Sequence, residues 1–210
     1  MSAILAKEAL QRLQEGNRRF TRDPWGGDRR VGEARRRKLV SGQDPFAIVL
    51  GCSDSRVPAE IVFDQGLGDL FVIRVAGNVV APPLLGSVEF AAEHFGTRLV
   101  VVLGHTRCGA VQATLEALGK GTEGLSENLR AIVDRVRPSV EPLLATELRH
   151  DPDALVAEGV RANVRESANR IRCDSPMLAQ LIQNRGLLVV GAEYSLETGV
   201  VDFFDGLPDT

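Results

Sequence analysis

Two short runs in this 210-residue chain concentrate the residues that could hold a metal: Gly51-Cys52-Ser53-Asp54-Ser55-Arg56-Val57-Pro58 and Gly104-His105-Thr106-Arg107-Cys108-Gly109. Two thiolates and an imidazole form a soft donor set that suits zinc better than magnesium, calcium or manganese. Three protein ligands leave one coordination position open, as in catalytic sites, whereas a structural zinc fills all four. His94 and His150 lie in helical or loop contexts, so the fourth ligand is water or Asp54 itself. An ionised Asp54 is acceptor-only and can take the proton of a zinc-bound hydroxide, aiming a lone pair at an electrophile. Arg56 would keep Asp54 ionised through a bidentate contact. Zinc lowers the pKa of bound water from about 15.7 toward roughly 7. Two thiolates cancel the ion's formal charge, so this water is less acidic than one on a three-histidine site, and activity should rise above neutral pH. Either run alone reads as a buried cysteine or a helix-capping histidine. Both together, each at a strand end and beside a glycine, read as a metal site.

Such a site needs elements that deliver its residues to one point. Phe46–Leu50 and Leu99–Leu103 are apolar runs that end where the two motifs begin, and they read as fully buried strands. Residues 70–73, 187–190 and 200–204 read as further strands. Helices are expected over 84–95, with Leu85, Val88, Ala92 and Phe95 on one face, and from Gly109 to Leu118. Another is expected over 125–136, with Leu125, Leu129, Ile132, Val133 and Val136 as its buried stripe. Asp151-Pro152 and Ser175-Pro176 each pair an N-cap with a first-turn proline and open two more helices. This alternation predicts an α/β fold, a mostly parallel central sheet flanked by helices, in one domain over 1–210. Residues 1–40 form an N-terminal arm, in which Ile4, Leu5, Ala9, Leu10 and Leu13 recur at helical spacing. Open parallel sheets bind ligands beyond the carboxyl ends of their strands, where Cys52 and His105 fall. In an extended segment, residues 52, 54 and 56 would project to one face.

Composition narrows the function. A net charge of -3 and a pI near 5.7 call for neither nucleic acid nor an anionic membrane as partner. The apolar run Leu99–Leu103 is too short to span a bilayer. Residues 1–20 lack the unbroken apolar core of a signal peptide, and their acids argue against a transit peptide, so a cytoplasmic location is expected. Three dispersed cysteines do not form a disulfide framework, and Cys173, without ligand-like neighbours, is expected to be buried and structural. The arginine-rich stretch from Thr21 to Lys38 reads as a solvated helix and loop rather than a phosphate-binding patch. Gly66-Leu67-Gly68 precedes a strand, whereas a phosphate loop should open a helix.

Cys52-Ser53-Asp54-Ser55-Arg56-Val57-Pro58 and His105-Thr106-Arg107-Cys108-Gly109 resemble the two signatures of the β-class carbonic anhydrases. The N-terminal arm, Phe63–Asp69 and Arg74-Val75-Ala76-Gly77-Asn78 extend the resemblance over most of the chain. It implies reversible hydration of CO2 to bicarbonate and a proton, with zinc on Cys52, His105 and Cys108 and a catalytic dyad of Asp54 and Arg56. It also implies a substrate pocket of Gln43, Phe71, Phe90 and Gly109, in which Phe90 stands where tyrosine is common and loses its hydroxyl. That pocket lies at a dimer interface in the family, so a homodimer or homotetramer is implied. The arm suits wrapping a partner, and intramolecular docking is equally compatible with its sequence. Some bacterial members carry an inhibitory bicarbonate site of Trp, Arg and Tyr. Arg74 and Tyr194 fit two of its positions, but Val49 replaces the tryptophan and the sole Trp is Trp25, so the site should be missing and Asp54 should rest on Arg56. The rival readings are a carbonyl sulfide or carbon disulfide hydrolase on the same zinc set, and a non-catalytic zinc scaffold.

Overall fold

The computed structural model describes residues 4–22 and 32–208. Strands β1 (Ala47–Cys52), β2 (Leu70–Val75), β3 (Leu99–His105), β4 (Leu188–Tyr194) and β5 (Val201–Asp205) form one sheet in the order β2-β1-β3-β4-β5. The first four run parallel and β5 returns antiparallel to β4. Parallel neighbours require long crossovers, and helices supply them. Helix α1 (Ala6–Arg22) and α2 (Glu33–Leu39) precede the sheet, α3 (Ala59–Val62) joins β1 to β2, and α4 (Pro82–His94) joins β2 to β3. Between β3 and β4 run α5 (Gly109–Lys120), α6 (Glu127–Val140), α7 (Pro152–Cys173) and α8 (Pro176–Arg185). As the sequence predicted, the molecule is α/β with a mostly parallel sheet covered on both faces.

Alternate residues of the same strands feed opposite layers. Ala47, Val49, Leu99, Val101 and Leu103 pack with Ala9, Leu10 and Leu13 of α1 and with Ala59 and Val62 of α3. Ile48, Leu50, Val100 and Val102 pack with α4, α7 and α8 through Val88, Val164, Ile171 and Leu178. Each fully buried aliphatic side chain contributes roughly 1.5–3 kcal/mol. With both faces covered, the strands have no polar side, which is why they read as unbroken apolar runs. The capping signals at 151 and 175 operate: Asp151 accepts from the Ala154 N–H and Ser175 from the Leu178 N–H.

Helix α1 packs against its own chain's sheet. Gly16 lies so close to the backbone at the end of α3 that a Cβ there would sit 1.9 Å from the Phe63 carbonyl oxygen. The next residue, Asn17, donates to the carbonyls of Val62 (3.1 Å) and Gly199 (2.9 Å) and accepts from the Val201 N–H (2.9 Å). The described part of the arm therefore takes the intramolecular of the two seatings the sequence allowed.

Two expectations need correction. Cys173 is exposed, because Ile171 takes the buried position in that last turn of α7 and residue 173 points the other way. Helix α6 starts after Ser126 and buries Val133, Val136 and Val140, while Leu129 is 54% exposed. Its first turn carries no buried residue, so the apolar periodicity there faces no packed layer. The described helix of the arginine-rich stretch, α2, has no buried residue, as a solvated helix should, while its Arg35 donates to the Leu67 carbonyl and pairs with the buried Asp69 at 2.9 Å, fastening α2 to the loop before β2. Arg29 and Arg30 of that stretch, and Trp25, lie outside the described residues.

Candidate metal centre

Cys52 ends β1 and His105 ends the adjacent β3, so both reach the carboxyl edge of the sheet. Cys108 is the residue before α5. The Cys52 and Cys108 sulfurs and a His105 ring nitrogen all lie within 4.8 Å of one another, and all three residues are buried. Between the last two, Arg107 has a left-handed backbone (φ 57°), uncommon for a residue with a side chain. The β4–β5 hairpin braces this loop: Glu197 pairs with Arg107 at 3.0 Å and accepts from the Thr106 hydroxyl at 3.3 Å, and that hydroxyl accepts from the Leu196 N–H.

The chemistry of the cluster fits a metal. His105 Nδ1 lies 3.0 Å from the Thr106 carbonyl and donates to it, which leaves the lone pair on Nε2. Nε2 is one of three buried side-chain polar atoms without a hydrogen-bond partner among the described residues. An orphaned buried nitrogen costs about 1–3 kcal/mol, and a bound cation would remove that cost. The Cys52 thiol is brought down to about 4, chiefly by the hydrogen bond from Cys108, against its burial, with help from His105 and the Asp54 and Gly77 N–H groups. Cys108 is pushed up by its bond to Cys52 and by burial, although the Ala110 and Val111 N–H groups at the start of α5 oppose this. Burial disfavours charge on His105, but the Cys52 sulfur, the Thr106 carbonyl and the Asp54 carboxylate together outweigh it and raise the ring. The cluster thus accepts one negative charge readily and resists a second, a resistance that a divalent cation relieves. Two sulfurs and one imidazole nitrogen are a zinc set.

Asp54 stands beside the cluster, its Oδ2 3.8 Å from His105 Nε2. Arg56 grips it with two side-chain bonds, Nε to Oδ1 at 2.9 Å and Nη2 to Oδ2 at 2.7 Å, and adds a backbone N–H to Oδ1 at 3.0 Å. These bonds hold the Asp54 carboxyl far below the usual carboxylate range. Strand-like alternation does not produce this arrangement. The chain turns after Cys52, with the Val57 N–H on the Asp54 carbonyl at 3.1 Å, and the Asp54 side chain closes on residue 56 within that turn. Arg74 of β2 fixes the turn by donating to the carbonyls of Cys52 (3.1 Å) and Asp54 (2.6 Å).

The family model for carbonic anhydrase matches residues 47–201, well over half of the chain. The chain belongs to the carbonic anhydrase family. It is 42% identical over 196 residues to carbonic anhydrase 2 of Mycobacterium tuberculosis, covering 91% of this chain and 89% of that protein. It is also 42% identical over 202 residues to carbonic anhydrase of Mycolicibacterium smegmatis, covering 96% and 94%. Among solved structures, the β-carbonic anhydrase CafA of Aspergillus fumigatus superposes with a TM-score of 0.73 at 29% identity, over 97% of this chain and 92% of that one. The β class is therefore the branch to which this carbonic anhydrase belongs, and with it come zinc and the interconversion of CO2 and bicarbonate. No helix among the described residues is long and apolar enough to cross a membrane.

The remaining residues singled out in the sequence divide by position. Gly109 follows Cys108, is exposed, and has open space where a Cβ would project. Gln43, Phe71 and Phe90 do not reach this chain's own cluster. Gln43 lies exposed before β1, at the opposite end from Cys52. Phe71 pairs in register with Ile48, four residues short of Cys52, or roughly 13 Å along the strand. Phe90 joins Phe71 and Phe95 with ring centroids 6.2 and 5.7 Å away, stacks on His94 at 5.0 Å, and is 51% exposed. Val49 is wholly buried in the sheet, and two strands separate Arg74 from Tyr194. The sequence reading missed the bracing by Arg74, Thr106 and Glu197. Arg74 bonds the carbonyls of Cys52 and Asp54, and Thr106 and Arg107 bond the β4–β5 turn, contacts for which spacing carries no periodic signal.

Proposed function

We propose that Cys52, His105 and Cys108 hold the zinc of this carbonic anhydrase, and that Asp54 and Arg56 form its catalytic dyad for CO2 + H2O ⇌ HCO3− + H+. The observation that carries this reading is the doubly bonded Asp54–Arg56 pair with one carboxylate oxygen 3.8 Å from the orphaned, metal-facing nitrogen of His105. Zinc bound there supplies a coordinated water with its pKa lowered toward roughly 7. Asp54, unable to donate while ionised, accepts a hydrogen bond from the attacking oxygen and so turns a lone pair toward the carbon of CO2. Arg56 fixes the carboxylate plane, and Arg74 holds the turn that carries both. Gly109, bare and exposed beside Cys108, leaves room for a linear triatomic substrate.

Gln43, Phe71 and Phe90 would serve the centre of a second subunit in a homodimer, which a tetramer would contain twice. Supporting this, β2 is an edge strand whose Phe71, Val72, Ile73 and Val75 are all half-buried, so both its faces are apolar and unfinished. Such an edge invites pairing with another chain. The domain over 1–210 carries the whole function in this reading. A reducing, cytoplasmic setting suits it, because the adjacent sulfurs of Cys52 and Cys108 must stay thiolates to ligate.

The test is stopped-flow CO2 hydration by zinc-loaded protein, with Asp54→Asn beside it. Fast turnover that rises with pH is expected, falling by roughly 10²–10⁴-fold in the variant. Full activity in Asp54→Asn would remove the dyad. No hydration by protein holding one zinc per chain would move the substrate to carbonyl sulfide or carbon disulfide.

A further inference from the structure

Among the three orphaned polar atoms, only His105 Nε2 is accounted for by the metal. The other two are Asn78 Nδ2 and Asn163 Oδ1. Asn163 sits in the middle of α7, 1% exposed, in a buried stripe with Leu155, Gly159, Val160, Val164, Ser167, Ala168 and Ile171. Its amide makes one hydrogen bond, Nδ2 donating to the Gly77 carbonyl at 2.7 Å. A buried amide satisfied on one side only is a poor way to stabilise a helix face, since an unbonded oxygen keeps its full desolvation cost. Stability does not explain this residue, but position does.

Gly77 is the middle residue of the turn that leaves β2 and leads toward α4, with a left-handed backbone (φ 70°). That turn lies under the metal centre. A Cβ on Gly77 would meet Ala110 at 2.9 Å and Val136 at 3.4 Å, and the neighbouring Val79 packs with Cys52 and Cys108. The side chain of Asn163 therefore fixes a turn whose next residues pack against two ligand residues, Cys52 and Cys108. Its neighbour Asn78, also left-handed (φ 43°) and buried, continues the same strained turn.

We propose that Asn163 is a positioning residue of the zinc centre, acting through Gly77 to hold the turn that packs against Cys52 and Cys108. The inference rests on Cys52 being a zinc ligand. Groups that orient metal ligands typically contribute 10–100-fold to metal affinity.

The experiment compares the parent with Asn163→Ala, which deletes the donor, and Asn163→Asp, which keeps the shape and replaces the donor with an acceptor. Zinc affinity is measured by competition with a chromophoric chelator, the cobalt-substituted proteins are examined for their sulfur-to-cobalt charge-transfer band, and melting is followed with and without zinc. Zinc binding 10–100-fold weaker, a shifted cobalt band, and a smaller zinc-dependent rise in Tm are expected in both variants. Zinc affinity within twofold of the parent and an unshifted band in either variant would overturn the proposal, as would failure of both to fold with zinc present, since each makes Asn163 a purely structural residue. A parent that binds no zinc would instead sink the ligand assignment itself.

Discussion

Acidification should strip zinc from this protein with a steepness that the cluster's own charges set. Before zinc binds at neutral pH, Cys52 is already a thiolate, because its pKa is brought down to about 4. Cys108 keeps its proton, pushed up by the bond to Cys52 and by burial. His105 is opposed by burial but raised on balance by the Cys52 sulfur, the Thr106 carbonyl and Asp54, and holds a proton to higher pH than a free imidazole. Zinc must expel the Cys108 proton throughout this range, and the His105 proton wherever the ring is charged. Affinity therefore rises with pH, about tenfold per unit for one proton and a hundredfold for two. From about pH 8 down to about pH 6 it should fall by two to four orders of magnitude, or ~2.7–5.4 kcal/mol at ~1.36 kcal/mol per proton and pH unit. The stability that zinc confers is thus full on the alkaline side and lost as pH falls. Chelator competition at several pH values gives the slope. Proton release on zinc addition, read with an indicator in weak buffer, gives the same number independently. A flat affinity, or less than one proton released per zinc near pH 7, would refute the reasoning, because it would mean that Cys108 is not held protonated beside Cys52.

Gly16→Ala should destabilise the fold by about 3 kcal/mol in urea denaturation, the upper end of overpacking costs, since the new methyl meets the Phe63 carbonyl rather than a side chain that can move. A change under ~0.5 kcal/mol would mean that α1 is not seated as described. Phe90→Asp should shift the protein to monomer in sedimentation velocity and cut CO2 hydration, while the zinc content stays at one per chain. Retained dimer with unchanged turnover would remove Phe90 from the interface and from the pocket.

What the sequence determined by itself was whatever is written in local pattern. Fully apolar runs ending in glycine and a ligand announced β1 and β3, because a strand covered on both faces has no polar positions to interrupt it. Asp151-Pro152 and Ser175-Pro176 announced α7 and α8, because a capping carboxylate or hydroxyl satisfies N–H groups within its own turn. The zinc set was legible for the same reason: cysteine and histidine at strand ends are chemically unusual wherever they occur. The tertiary structure decided the rest. Only the sheet order β2-β1-β3-β4-β5 makes β1 and β3 neighbours and brings Cys52 to His105. Only the folded chain shows that a turn closed by the Asp54 side chain, rather than strand alternation, joins Asp54 to Arg56. Asn17 and Asn163 gave no signal, and Arg74 none of its role in the turn, because each bonds to backbone between 20 and 184 residues away. A hydrogen bond to a carbonyl or N–H asks nothing of the residue type that supplies it, so the sequence around the partner records nothing. The same holds for Phe71 and Phe90: their types mark them as apolar, and only the place of Phe71 on the edge strand β2 and the exposure of Phe90 on α4 set them apart from the core.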